Sequence, residues 1–214
     1  MTSVSMEAEI NRAALLGERL EHLIYDKSKE GKLVAIGKND HLLLGFWSLI
    51  FEYGKGIGCL LHHKFYAPAF ALFRPTVEAL VRAGIVLVGT PDEVEKIRQD
   101  RFNVSYEKDG ARLDKALGTG TLLEQFLKET RSLLHSLTHS GTAQLGMRFD
   151  GDSIGANVSE AQTIMLLNAS SNAAFLITIL IAMHYNMEDV ARTANDAFLE
   201  YGEANLAVIA DVAP

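Results

Sequence analysis

Apolar residues recur along most of the chain at the three- and four-residue spacing of an α-helix. Over residues 5–26, Ile10, Ala14, Leu20 and Ile24 recur with charged residues between them, the pattern of an amphipathic helix with one buried face. Seven helices are predicted, at about 5–26, 40–63, 69–89, 91–106, 121–140, 159–185 and 187–207. So many helices with short connections favour an all-α fold, a bundle of about seven helices.

Three of these helices are predicted to begin at a capping box. In this motif a Ser or Thr side chain accepts from the backbone N–H three residues on, and a Glu or Gln there accepts from the N–H of the Ser or Thr. The three boxes are Thr90–Glu93, Thr121–Glu124 and Ser159–Gln162. Pro91 takes the first helical position after Thr90, where its missing N–H costs nothing. The segment 141–158, rich in Gly, Asp and Asn, is predicted to be the longest loop.

Length and charge restrict the classes of protein that this chain could be. One large domain is the default for 214 residues, and we predict a single domain over 1–214. A net charge of −7 argues against a broadly basic protein that coats nucleic acid, although a local basic site remains open. The N-terminus lacks a basic segment followed by an apolar one, and the longest uncharged apolar stretch, Ala173–Met183, is too short to span a bilayer. We therefore expect a cytoplasmic protein outside the membrane, with that stretch in a buried core helix.

Four features that could suggest a site are explained more simply by packing. Cys59 lies in an apolar run and is predicted to be a buried thiol. The glycines of Gly54–Gly58 lack phosphate-loop spacing and are expected to allow close contact between helices. Asn168, Ser171 and Asn172, in an apolar helix, are expected to bond a neighbouring helix. His184 lies near a helix C-terminus, where a cation suits the helix dipole.

A first polar stripe is formed by Arg131, His135 and His139, which follow one another at intervals of four on the outward face of the helix 121–140. Three interpretations stand side by side. In the first, the stripe is a solvated helical face. In the second, its imidazoles and guanidinium act as general base, general acid and anion stabiliser in phosphodiester cleavage, with a 2′-hydroxyl of the substrate as nucleophile. In the third, the two histidines bind a metal. The metalloprotease pattern is absent and a third ligand would have to come from elsewhere, so we assign no metal and no other cofactor.

A second stripe, Arg74, Glu78 and Arg82, has the same spacing within a helix that is otherwise almost wholly apolar. Such a helix is buried, so these charges must be paired, and Glu78 can pair with either arginine at four residues' distance. One positive charge is then left over. The trio is either an internal ion network that fixes the register of the helix or a site for an anion such as phosphate.

Two segments carry a family resemblance. They are FALFRPTVEALVRAGIVLVG, at 70–89, and RSLLHSLTHSGTAQLGMRFDG, at 131–151. Together, over roughly residues 65–165, they resemble uncharacterised bacterial helical proteins related to the HEPN superfamily. That resemblance implies an all-α bundle that forms a homodimer. Several members of the superfamily are ribonucleases in defence, toxin–antitoxin or RNA-processing systems, and others are not catalytic.

The spacing of the histidines departs from the ribonuclease motif of that superfamily, an Arg followed by four to six residues and then a His. Three residues separate Arg131 from His135, and seven separate it from His139. If His139 takes the role of the motif's histidine, Arg148 or Arg82 would have to supply the arginine. We therefore predict a non-catalytic helical binding or assembly module, in a bacterial defence or stress system, with RNA or another protein as partner. The alternative is a metal-independent ribonuclease that acts as a dimer.

Overall fold

Helices make up almost all of the regular structure. This computed structural model describes residues 5–31, 33, 37–137, 149–150, 153–154 and 157–212, of which 132–137, 149–150, 153–154 and 204–212 are described by their backbone alone. The elements in that part of the chain are α1 (Met6–Lys29), α2 (Asp40–His62), α3 (Tyr66–Val88), α4 (Pro91–Arg98), α5 (Tyr106–Leu117), α6 (Leu122–Leu137), β1 (Phe149–Asp150), β2 (Ser153–Ile154), α7 (Glu160–His184) and α8 (Glu188–Val212). The two-residue segments β1 and β2 pair antiparallel. The predicted all-α class is confirmed.

The number of helices was wrong, because one helix was missed. The helix predicted over 91–106 is α4, and it ends at Arg98, after which Asp100 takes a left-handed conformation at φ 50°. A separate helix, α5, then runs to the left-handed Gly118, giving eight helices within the described ranges. Its buried face consists of Asp109, Gly110, Leu113 and Asp114, so a search for apolar periodicity could not detect it.

Two of the three predicted capping boxes are confirmed, and the third was wrong. Both reciprocal bonds are present in the boxes that begin at Thr90 and Ser159. At the start of α6, however, the backbone N–H groups of Leu123 and Glu124 donate to the two carboxylate oxygens of Asp114, at 3.1 and 2.8 Å. The cap of α6 therefore comes from α5 instead of from Thr121.

The helix α7 is the centre of the bundle. It packs against α1, α2, α3 and α8, while α5 and α6 pack on each other and on α3. By length and composition α7 is apolar enough to cross a membrane, but 67% of that apolar window is buried inside the protein. This confirms the prediction of a core helix over Ala173–Met183.

A buried carboxylate ties the start of α2 to the end of α7. Asp40, 4% exposed in its side chain, accepts from the Tyr185 hydroxyl at 3.1 Å and the Gly37 N–H at 2.9 Å, and lies 3.1 Å from His184 Nε2. Burial raises the pKa of Tyr185 to about 12, and the negative charge of Asp40 is the second cause of this rise. His184 therefore has a carboxylate partner in addition to the helix C-terminus that was predicted to suit it.

Candidate functional site

A groove of about 290 Å³ lies between α1, α2 and α7. Its walls come from residues 10–18 of α1, 50–62 of α2 and 167–174 of α7, and they are mainly apolar. Glu18, Lys55 and His62 also line it. Lys55 Nζ lies 2.7 Å from the carboxylate of Glu21 on α1, so this cation is already paired. Concave, mainly apolar sites with a few polar groups are where proteins hold small molecules.

The groove exists because the facing helices carry small residues. Ala13 and Gly17 lie on α1, and Gly54 and Gly58 lie one helical turn apart on α2. A Cβ atom built on Gly17 or on Gly58 would meet no heavy atom within 4 Å. Larger side chains at these positions would extend into the space that is now empty.

Cys59 lines this groove and is exposed, so the prediction of a buried thiol was wrong. The reason is helical geometry. Ile57 and Leu61 are four residues apart and face the core, at 0% and 3% exposure. Cys59 is two residues from each of them, which turns it about 200° away, toward the opposite side of α2. The apolar run Ile57–Leu61 was therefore no guide to the burial of its middle residue.

Two serines of α7 line the groove, and the structure gives their hydroxyls no partner among the side chains and backbone that it describes. Ser170 and Ser171 are 8% and 7% exposed, both line the groove, and neither side chain makes a hydrogen bond to the part of the chain that the structure describes. The fully enclosed side-chain polar atoms without a partner in that part are Trp47 Nε1 and Arg82 Nε. The serine hydroxyls do not belong to this enclosed class, so they remain reachable from the groove.

The first predicted stripe lies largely outside the described side chains. Arg131, on α6, is exposed, and its guanidinium forms an ion pair with Glu107 of α5. His135 is within α6, but its side chain is not described, and His139 and Arg148 lie outside the described residues. Their predicted roles in catalysis therefore stay predictions.

The second predicted stripe is half-buried, and its acid is paired with one arginine. Arg74 Nε donates to Glu78 Oε1 at 2.8 Å, and the hydroxyl of Tyr106 on α5 donates to the same oxygen at 3.2 Å. The Glu78 carboxylate raises the pKa of Arg74. Burial, followed by the charge of Glu78, raises the pKa of Tyr106 to about 12. This cluster ties α3 to α5, as an internal ion network would.

Arg82 is held on the loop between α4 and α5. Its Nη2 lies 3.5 Å from the Asp100 carboxylate and 3.4 Å from the Phe102 carbonyl oxygen, at the long limit of such contacts. Asp100 therefore supplies the acid that the trio lacked. The anion site predicted at Arg74, Glu78 and Arg82 stays a prediction. No group of three His, Cys, Asp or Glu side chains within the described ranges could hold a metal ion.

The groove was not predicted from the sequence, although the glycines of α2 that line it were singled out. Small residues at Gly54–Gly58 were expected to bring helices together, and Gly56 does so, since a Cβ there would lie 3.1 Å from Leu72 Cδ1. A Cβ on Gly54 would lie in the groove, at an ordinary contact distance of 3.5 Å from Ser170 Oγ. Gly58 instead faces open space. The same residue type thus closes one gap between helices and opens another, and only the paths of the neighbouring helices decide which.

Comparison with known proteins gives a family but no function. No curated protein and no solved structure matches the sequence. The resemblance to the HEPN superfamily is therefore untested and stays a prediction. Residues 47–203, close to three quarters of the chain, match the family of unknown function DUF6988. The matched segment contains α3 to α7 and the α2 and α7 walls of the groove. The chain belongs to the DUF6988 family.

Proposed function

We propose that this protein is a non-catalytic helical binding module whose groove between α1, α2 and α7 holds a small, mainly apolar molecule. The observation that carries the proposal is the groove itself, about 290 Å³ of space walled by apolar side chains and glycines. An apolar cavity of about 150 Å³ is large enough to bind benzene, so this groove has room for a substituted ring or a short hydrocarbon chain.

The strength of binding follows from the area that the groove can remove from water. Burying a ring of the size of a phenylalanine side chain contributes about 1.5–3 kcal/mol. Association entropy opposes part of this gain, so a single-ring probe should bind with a dissociation constant in the millimolar range or weaker. The natural ligand, with more apolar surface, would bind more tightly.

Cys59 offers a direct test, because it is the one cysteine in the sequence and it lines the groove. Toluene should slow alkylation of Cys59 by iodoacetamide in proportion to the fraction of groove that it occupies, by about half where its concentration equals the dissociation constant. An unchanged rate, together with no toluene binding in ligand-observed NMR, would refute the proposal.

Two glycine variants of α2 make a matched pair for the same test. Gly58→Leu places a side chain in the groove, whereas Gly45→Leu places one in open space outside it, where a Cβ also meets no atom within 4 Å. Both remove a glycine from a helix, which should favour folding similarly. Toluene binding, measured by NMR, should be lost in Gly58→Leu and kept in Gly45→Leu. Equal binding by the two variants would contradict the assignment of the groove as the site.

The alternative function is a metal-independent ribonuclease that acts as a dimer. Of the predicted stripe Arg131, His135 and His139, the structure describes only the side chain of Arg131. This side chain is exposed but already paired with Glu107. If the alternative is right, RNA will be cleaved in the presence of EDTA, and His139→Ala will abolish cleavage. The non-catalytic proposal expects intact RNA with either protein.

Other expectations from the sequence stay predictions. They are the cytoplasmic location, the homodimer, the single domain, the protein or RNA partner and the defence or stress setting.

A further inference from the structure

The hydroxyls of α7 divide into two kinds. Thr163 donates to the Ser159 carbonyl oxygen at 3.3 Å, and Thr178 donates to the Ala174 carbonyl oxygen at 2.8 Å. Each is thus satisfied by the turn of helix that precedes it. Ser170 and Ser171 lie between these two threonines, are more than nine-tenths buried, and have no such partner within the described residues.

An unpartnered hydroxyl costs free energy unless something in the groove meets it. A hydroxyl that is largely buried but open to a groove can be met by water or by a bound ligand, and a ligand that hydrogen-bonds to it replaces that water. Ser170 Oγ lies 3.5 Å from the point where a Cβ on Gly54 would be. A side chain at position 54 would cover this hydroxyl from the side of α2, and the glycine leaves it uncovered.

We infer that the ligand of this groove has an apolar body and one neutral hydrogen-bonding group, such as an alcohol, phenol or ketone oxygen, which meets Ser170 and Ser171. This inference rests on the proposed function and specifies its ligand class. The group is neutral because a serine hydroxyl offers a hydrogen bond but no opposite charge, and an ion brought into an apolar site beside it would lose its hydration uncompensated. Glu18, the carboxylate that lines the groove, is exposed to water on α1. Lys55, the cation that lines the groove, is already paired with Glu21.

A matched pair of probes tests this directly. Toluene and p-cresol differ by one hydroxyl, and p-cresol is neutral at pH 7. Their dissociation constants would be measured by ligand-observed NMR with the full chain, with the double variant Ser170→Ala/Ser171→Ala, and with Ser48→Ala as control. Ser48 is exposed on α2 and does not line the groove. Serine-to-alanine changes within helices favour helix formation, so the variants should fold.

The wild-type protein should bind p-cresol about two- to tenfold more tightly than toluene, the factor expected from one neutral hydrogen bond. This preference should disappear in the double variant and persist in Ser48→Ala, with toluene affinity the same in all three proteins. If toluene binds but p-cresol gains nothing, or keeps its gain without the serines, the inference is wrong and the proposed function stands. If neither probe binds the wild-type protein, the proposed function itself fails.

Discussion

Replacing Asp114 by alanine should destabilise the protein far more than replacing Thr121, the residue that the sequence predicts as the cap of α6. Asp114 is 2% exposed, and its carboxylate accepts from the N–H groups of Leu123 and Glu124 and from the hydroxyl of Thr119. These N–H groups lie at the positive end of a helix dipole, which adds to the attraction for a negative charge. One side chain thus holds the start of α6 on the end of α5.

The magnitude follows from the bonds that are lost. Hydrogen bonds to a charged group contribute about 1.5–3 kcal/mol each, but water can partly replace Asp114 at the less buried donors. We expect Asp114→Ala to lower the free energy of unfolding by about 3 kcal/mol. For a chain of this size, about 1 kcal/mol corresponds to about 2–4 °C in Tm, so the midpoint should fall by about 6–12 °C.

The assay is equilibrium unfolding in urea, followed by circular dichroism, with thermal unfolding as a second measure. Thr121→Ala is the matched control at the same helix terminus, and it should change the free energy of unfolding by less than about 0.5 kcal/mol, as exposed substitutions usually do. If Thr121→Ala cost as much as Asp114→Ala, or if Asp114→Ala cost less than about 1 kcal/mol, the reasoning about this cap would be refuted.

Two further predictions concern α4 and α5. The Arg112 guanidinium, followed by the Thr90 N–H, lowers the pKa of Glu93 to about 2, so its ionised form stabilises the folded state above the usual pKa near 4.5, and this contribution is lost as the pH falls toward 2. Glu93→Gln should therefore be less stable than wild type at pH 7, by about 1 kcal/mol given the partial exposure of the pair. Urea unfolding should show this difference in the free energy of unfolding shrinking between pH 4.5 and 2. A difference that stays constant with pH would contradict the pairing. Gly110→Ala would place a Cβ 2.9 Å from Glu124 Cα, so despite its better helix propensity it should lower stability by about 1–2 kcal/mol in the same assay. A stability equal to or above that of wild type would mean that α5 and α6 are not in such close contact.

The helices were predicted where their signals are local. The boxes at Thr90 and Ser159 formed as predicted because both partners lie within four residues of each other and need only a helical backbone to meet. The core helix α7 was predicted from its long apolar stretch, which has no other favourable place than the interior. Such features depend on neighbours in the sequence and not on the path of the rest of the chain.

The candidate site depended on neighbours in space. Cys59 was expected in the core because its sequence neighbours are apolar, yet the groove face of α2 exposes it. Asn168 does bond a neighbouring helix, accepting from the Tyr201 hydroxyl at 2.8 Å, but the bond predicted for Ser171 is absent from the described residues. A serine that bonds another helix and one that faces a groove look alike in the sequence.

The sequence by itself determined that the chain folds into helices, where most of them begin, and that the most apolar of them is buried. Those results follow from hydrophobic periodicity and from hydrogen bonds within one or two turns. The tertiary structure decided that α6 is capped by Asp114 of α5 and that a helix with a polar buried face, α5, exists at all. It also decided that Gly17, Gly54 and Gly58 leave a groove beside Ser170, whereas Gly56 closes a contact with Leu72. The physical reason is that a cap, a groove and an unpartnered hydroxyl are each defined by atoms from two or three helices, whose mutual positions are not encoded in any one segment.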